Sequence, residues 1–116
     1  MKQKRLINIS LIIVIFIFSV WVSLTSVLAA TVDYDFTRNL TVGSRGDDVK
    51  ALQQFLNSQV LMQIALSGPG SPSNETTYFG QLTRVALARW QAKNNISPAV
   101  GYFGPLTKAK IKEFSK

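Results

Sequence analysis

Two kinds of hydrophobic pattern run along this chain. Leu6 to Leu28 carries no charge, is most densely apolar from Leu11 to Val22, and follows a basic start of Lys2, Lys4 and Arg5. From Thr41 onward the apolar residues are spaced instead. Val49, Leu52, Phe55 and Leu56 recur at helical intervals, then Leu82, Val85, Ala86 and Trp90, then Leu106, Ile111 and Phe114. Such spacing lays one apolar stripe along each of three helices. Ser44-Arg45-Gly46-Asp47-Asp48 opens the first, with Ser44 or Gly46 as the cap and two carboxylates in the first turn, where the helix dipole favours them. Asn57-Ser58 closes it. The second begins after Tyr78-Phe79-Gly80 and closes at Asn94-Asn95. The third begins after Tyr102-Phe103-Gly104, with Pro105 at the first helical position, where a missing N–H costs nothing. Ser67 to Asn74 is a loop by composition, whereas Gln59 to Leu66 fits either an extension of the first helix or a short extended piece. The expected fold class is all-α: a compact three-helix bundle preceded by a hydrophobic N-terminal signal helix.

The leader has the three parts of a secretory signal: a basic start, an apolar centre, and small residues before a cleavage point. Val27 and Ala29 occupy the −3 and −1 positions for cleavage before Ala30. The alternative is a retained membrane anchor, since 23 residues from Leu6 to Leu28 are enough to span a bilayer. Ser19, Ser23, Thr25 and Ser26 weaken the second half of that span. The expected organisation is a signal peptide over 1–29, a linker over 30–40 and one domain over 41–116. Either leader reading exports the domain, to the cell wall, the periplasm or the extracellular space.

Composition narrows the chemistry. The chain has no cysteine and no histidine. Disulfides, thiolate zinc sites, cysteine nucleophiles and the commonest general base are therefore absent, and no metal or cofactor is expected. From Ala30 onward there are ten basic and six acidic residues, a net +4 with no run of like charge. That balance suits an anionic partner without demanding nucleic acid. Arg84, Arg89 and Lys93 make at most a weak basic stripe, and export takes the chain away from nucleic acid. Glycoside hydrolysis needs two carboxyls facing one sugar bond, one of them with a raised pKa. Here Asp33 and Asp35 fall in the linker and Asp47 and Asp48 at a helix start, so the chain is not expected to be an enzyme.

The chain also repeats itself. Tyr78-Phe79-Gly80-Gln81-Leu82-Thr83-Arg84 returns 24 residues later as Tyr102-Phe103-Gly104-Pro105-Leu106-Thr107-Lys108, with Leu87 matched by Ile111 and Trp90 by Phe114. Each unit reads as a tight turn, a capped start and an apolar helix face. The glycine would permit positive φ, and the threonine three residues on would bond free amides of the first turn. Three ordered blocks complete the picture. Leu40, Gly43, Ser44, Gly46, Val49, Leu52, Gln53 and Leu56 form the first. Phe79, Gly80, Thr83, Ala86, Leu87, Trp90 and Gln91 form the second, and Gly101, Gly104, Pro105 and Thr107 the third. In these blocks the chain resembles the peptidoglycan-binding-like domain family, the small three-helix modules attached to many bacterial wall hydrolases. It departs from that family in lacking the Asp often found before the turn glycine and in a longer loop from Ser58 to Thr77.

The resemblance implies non-catalytic, non-covalent binding of peptidoglycan. The alternatives are a protein-docking module for a wall hydrolase or surface protein, or a wall tether if the leader stays in the membrane. Gly43, Ser44, Gly46, Phe79, Gly80, Thr83, Trp90, Gly104, Pro105 and Thr107 are expected to be structural. Arg45-Gly46-Asp47 spells an adhesion tripeptide, but it falls at the start of the first helix and is read as structural. Gln53 and Gln91 either face solvent or hold a loop. Peptidoglycan offers N-acetyl sugars and a carboxylate-bearing stem peptide, which call for aromatic edges, amides and cations. Tyr78 and Tyr102, at equivalent turns, with Arg45, Asn94 and Asn95 near helix ends, are the candidate ligand-binding residues. Packing of the two tyrosines on their own turns is the alternative reading.

Overall fold

The computed structural model describes residues 32–115. The signal-helix and cleavage expectations lie outside the described residues. Three helices follow in chain order: α1 (Asp47–Ser58), α2 (Gln81–Lys93) and α3 (Pro105–Lys112). The only strand-like pairing outside them, among the described residues, is two isolated antiparallel bridges, Leu40 with Phe103 and Arg45 with Tyr78. No helix among the described residues is long and apolar enough to cross a membrane.

The bridges belong to a short strap, residues 40–46, that ties both repeat turns to the start of α1. Leu40 exchanges two backbone hydrogen bonds with Phe103, both 3.0 Å. Beyond it, the Gly43 amide donates to the Phe79 carbonyl, the Phe79 amide to Ser44 and the Gly46 amide to Thr77, each at 2.9 Å. Between these anchors the Ser44 amide donates to Thr41, closing a turn, and Ser44 Oγ accepts from the Thr41 amide. Ser44 thus serves the strap, and Gly46 stands at the N-cap of α1.

The core is one cluster. Val49, Leu52, Phe55 and Leu56 of α1 pack with Ala86, Leu87 and Trp90 of α2, with Ile111 of α3, and with the turn residues Phe79 and Phe103. Trp90 is 1% exposed and meets Phe55 edge-on, ring centroids 5.3 Å apart. Phe114, the repeat partner of Trp90, is partly buried against Phe55 and Trp90.

Several expectations are corrected here. Leu82, Val85 and Leu106, read as part of the apolar helix faces, are 57%, 48% and 65% exposed. Thr83 and Thr107 take the buried positions beside them, because the helices rotate to bring these hydroxyls to partners in the interior. Residues 32–40, read as a linker, contribute Val32, Phe36 and Leu40 to the core. Gln59 to Leu66 is neither helix nor strand: it turns and buries Met62 and Ile64. The Asn57 side chain organises the loop beyond α1. It accepts from the Ile64 amide and donates to the Gly70 carbonyl and the Glu75 carboxylate, each at 2.9 Å.

Candidate functional site

Both repeat turns are gripped by a glutamine from the preceding helix. Gln53 of α1 donates through Nε2 to the Tyr78 carbonyl (2.9 Å) and to the Thr83 hydroxyl (3.1 Å), and its Oε1 accepts from the Thr76 amide (2.6 Å). Gln91 of α2 does the same one unit later. Its Nε2 donates to the Tyr102 carbonyl (2.7 Å) and the Thr107 hydroxyl (2.9 Å), and its Oε1 accepts from the Gly101 amide (2.8 Å). Both glutamines are 1% exposed and both threonines 2%. Buried amides are stable only when such bonds are made. Among the described residues no buried side-chain polar atom lacks a partner. Of the two readings left open for the glutamines, holding a loop is the one observed. The threonine hydroxyls go to the glutamines rather than to the first-turn amides, a second correction.

The turn glycines also act differently from expectation. Gly80 (φ −96°) and Gly104 (φ −111°) are extended N-cap residues, so positive φ is not their reason. At Gly104 the tyrosine ring excludes a side chain, whereas at Gly80 it leaves room for ordinary contact. A Cβ on Gly104 would lie 2.8 Å from Tyr102 Cε1, and one on Gly80 would lie 3.4 Å from Tyr78 Cε1. Each ring therefore lies against the backbone two residues on. Gly101 does need its conformation: φ is +77°, and a Cβ there would meet the Arg84 carbonyl oxygen at 2.2 Å.

Beside each clamped turn is a shallow groove, of about 180 Å³ at Tyr78 and about 200 Å³ at Tyr102. In both, the wall repeats: tyrosine, glycine, leucine, threonine and the clamping glutamine. Tyr78 and Tyr102 pack on their glycines yet stay 41% and 46% exposed, and Leu82 and Leu106 stand out beside them. Neither groove is lined by a charged side chain. The Arg45 guanidinium lies 4.5 Å from the Tyr78 ring centroid, a cation–π contact. A third cleft, about 260 Å³, lies between residues 32–34 and α1 and contains none of the expected site residues.

The structure stacks Arg45 on Tyr78, which lines the first groove, and Tyr102 lines the second. Asn94 and Asn95 line neither. Asn94 closes α2, its side chain donating to the Trp90 carbonyl at 2.8 Å, and Asn95 has φ +57°, a conformation asparagine tolerates at a helix end. Leu82 and Leu106 are the groove residues that helical periodicity hid. Their exposure follows only once the threonines are known to face inward.

Asp48 and Glu75 are engaged elsewhere. Arg38 holds Asp48 through two hydrogen bonds, 2.6 and 2.9 Å, which keep that carboxyl below its ordinary pKa against the opposing effect of burial. Burial pushes Glu75 up, but hydrogen bonds from Asn57 and the backbone, with the charge of Lys50, outweigh it and leave Glu75 below its ordinary value. Arg89, one of the three basic residues of α2, donates to the Gln63 carbonyl at 2.8 Å.

The chain is thus a helical module in which one strap and two glutamine-clamped turns hold a pair of repeated surface grooves. Residues 45–99 match the family described as "Putative peptidoglycan binding domain", and over that stretch the resemblance read from the sequence holds. The match takes in α1, the first clamped turn and α2. The Tyr102 turn lies beyond it and is tied to it by the internal repeat. No curated protein and no solved structure matches the chain.

Proposed function

We propose that the chain is an exported module that binds cell-wall peptidoglycan through its two repeat turns and catalyses nothing. The observation that carries this is the family match over residues 45–99 together with an exposed tyrosine and leucine at each turn, on a scaffold whose interior is already satisfied. Tyrosine rings offer apolar faces to sugar rings, and Arg45 offers a cation to a stem-peptide carboxylate. The leader pattern and the net +4 of the remainder fit an anionic wall outside the membrane. Asp48 and Glu75 are both held toward the ionised form, the opposite of what a general acid for sugar hydrolysis needs.

Co-sedimentation of the full-length protein with purified sacculi tests the reading. The protein pellets with the sacculi and releases no soluble fragments. Moderate salt weakens binding only in part, since screening reaches the cationic contacts more than the stacking ones. A folded protein that stays in the supernatant at every salt concentration contradicts wall binding and leaves docking to a hydrolase or surface protein in its place. Loss of all binding at moderate salt, with equal binding to unrelated polyanions, would reduce the interaction to charge.

A further inference from the structure

A repeat inside one chain is an alignment of two sequences that share one fold. The buried part of this alignment is explained by folding: glutamine grips threonine and a turn carbonyl in each copy, and a phenylalanine is fully buried in each. The exposed part is not. Tyr78 and Tyr102 are about half exposed, Leu82 and Leu106 more than half, and neither pair completes the core. Solvent-facing apolar side chains usually contribute little to stability, so folding does not explain why the same two recur at the same two positions. Each pair flanks a groove of about the same size, 180 and 200 Å³. Both are below the ~300–1,000 Å³ of pockets that enclose a whole small molecule, so each is suited to one ring or one short side group.

The strap holds the two turns as neighbours. Leu40 is bonded to Phe103 of one turn, and Gly43 and Ser44 to Phe79 of the other. The turn between those anchors holds Thr41 and Ser44 within about 7 Å. Two small, similar sites on neighbouring turns match a ligand that is itself repetitive.

Resting on the peptidoglycan reading above, we infer that the two grooves are paired subsites for one glycan strand of the wall, each taking a sugar unit, so that the module binds bivalently. Tyrosine and leucine form the apolar floor for a sugar face in both. Arg45, stacked on Tyr78, marks the first groove as the one beside which a stem-peptide carboxylate lies. The affinity for a strand then comes from linkage: a unit seated in one groove holds its neighbour at high effective concentration over the other, which raises overall affinity by about 10²–10⁴ over a single site.

The test is titration calorimetry of the full-length protein with two soluble probes, a single disaccharide-peptide unit and an uncrosslinked strand of several units. Two single units bind per protein, and the strand binds at one per protein and at least tenfold tighter. Tyr78→Ala and Tyr102→Ala each reduce the single-unit stoichiometry from two to one and weaken strand binding at least tenfold. Leu82→Ser and Leu106→Ser do the same. Those leucines are exposed, so these variants keep the test sound should a tyrosine variant disturb its turn; thermal melts identify any that unfold. One unit per wild-type protein overturns the pairing and leaves wall binding standing. So does a result in which changes at one turn abolish strand binding and changes at the other leave it intact. A folded wild type that binds neither probe and no sacculi overturns the wall-binding reading itself.

Discussion

The most informative perturbation of the scaffold is Gln91→Met. Methionine keeps much of the volume and the unbranched shape of glutamine but neither donates nor accepts strongly. It removes three hydrogen bonds of 2.7–2.9 Å and strands the Tyr102 carbonyl, the Thr107 hydroxyl and the Gly101 amide. Each such bond contributes about 0.5–1.5 kcal/mol net, and a buried group left unpaired costs about 1–3 kcal/mol. Partial rehydration at the groove lowers the total for the Tyr102 carbonyl, so the expected loss is about 3 kcal/mol. A folded domain has only about 5–15 kcal/mol of stability to draw on. At ~4–8 °C per kcal/mol for a domain of this size, the melting midpoint falls by about 12–24 °C. Circular dichroism melts of the full-length protein read the shift, and urea titration converts it to free energy. Thr107→Val removes one of the same bonds, so the double variant loses less than the sum of the two singles, by about 0.5 kcal/mol or more. A Gln91→Met midpoint within ~2 °C of wild type, or strict additivity with Thr107→Val, would refute the clamp as a structural element.

Trp90→Ala removes the largest fully buried side chain among the described residues and its edge contact with Phe55, and costs about 3–5 kcal/mol in a urea titration. Two glycine substitutions separate backbone strain from collision. Gly43→Ala (φ +96°, open space around the new Cβ) costs about 1–2 kcal/mol of conformational strain. Gly101→Ala costs clearly more, since its Cβ also meets the Arg84 carbonyl oxygen, and equal losses in a melting comparison would count against the close approach. Acid reads the carboxylates. Asp48 and Glu75 bind protons less readily folded than unfolded, so their stabilising contribution is complete above the ordinary carboxylate range of about 4 and shrinks as pH falls through their depressed folded values. Asp48→Asn flattens that acid limb in melts followed from pH 6 to pH 2. An unchanged limb would show that the Arg38 pair contributes nothing there.

Helix boundaries were the most legible part of this chain, because local chemistry decides them. Pro105 at the first position of α3, the acidic pair opening α1 and the asparagines after α2 all stand where their types predict. Which side of each helix faces inward was less legible. Hydrophobic spacing put Leu82, Val85 and Leu106 on the apolar helix faces, yet two polar hydroxyls are buried instead, because each finds a glutamine 30 or 16 residues away in the chain. Periodicity registers apolar burial and is blind to a satisfied polar pair. Gln53 and Gln91 stood in the family blocks, but their partners lie across the fold and nothing local to them names those partners. Val32 and Phe36 escaped for a different reason: they alternate with Asp33 and Asp35 in a run too short and too polar to be read as an element. Tyr78, Tyr102 and Arg45 were legible as candidates from the repeat and the turn. Leu82 and Leu106 became groove residues only once the helix faces were known.

The central claim is that the surface around the two repeat turns is what meets peptidoglycan, and backbone NMR tests it most directly. Soluble disaccharide-peptide fragments are titrated into the labelled full-length protein and amide shifts are followed residue by residue. The account predicts that perturbations gather at Thr76–Arg84 and Val100–Lys108, with Arg45 included, while the cleft between residues 32–34 and α1 stays silent. Shifts concentrated in that cleft, or none at fragment concentrations well above those that release the protein from sacculi, would contradict it.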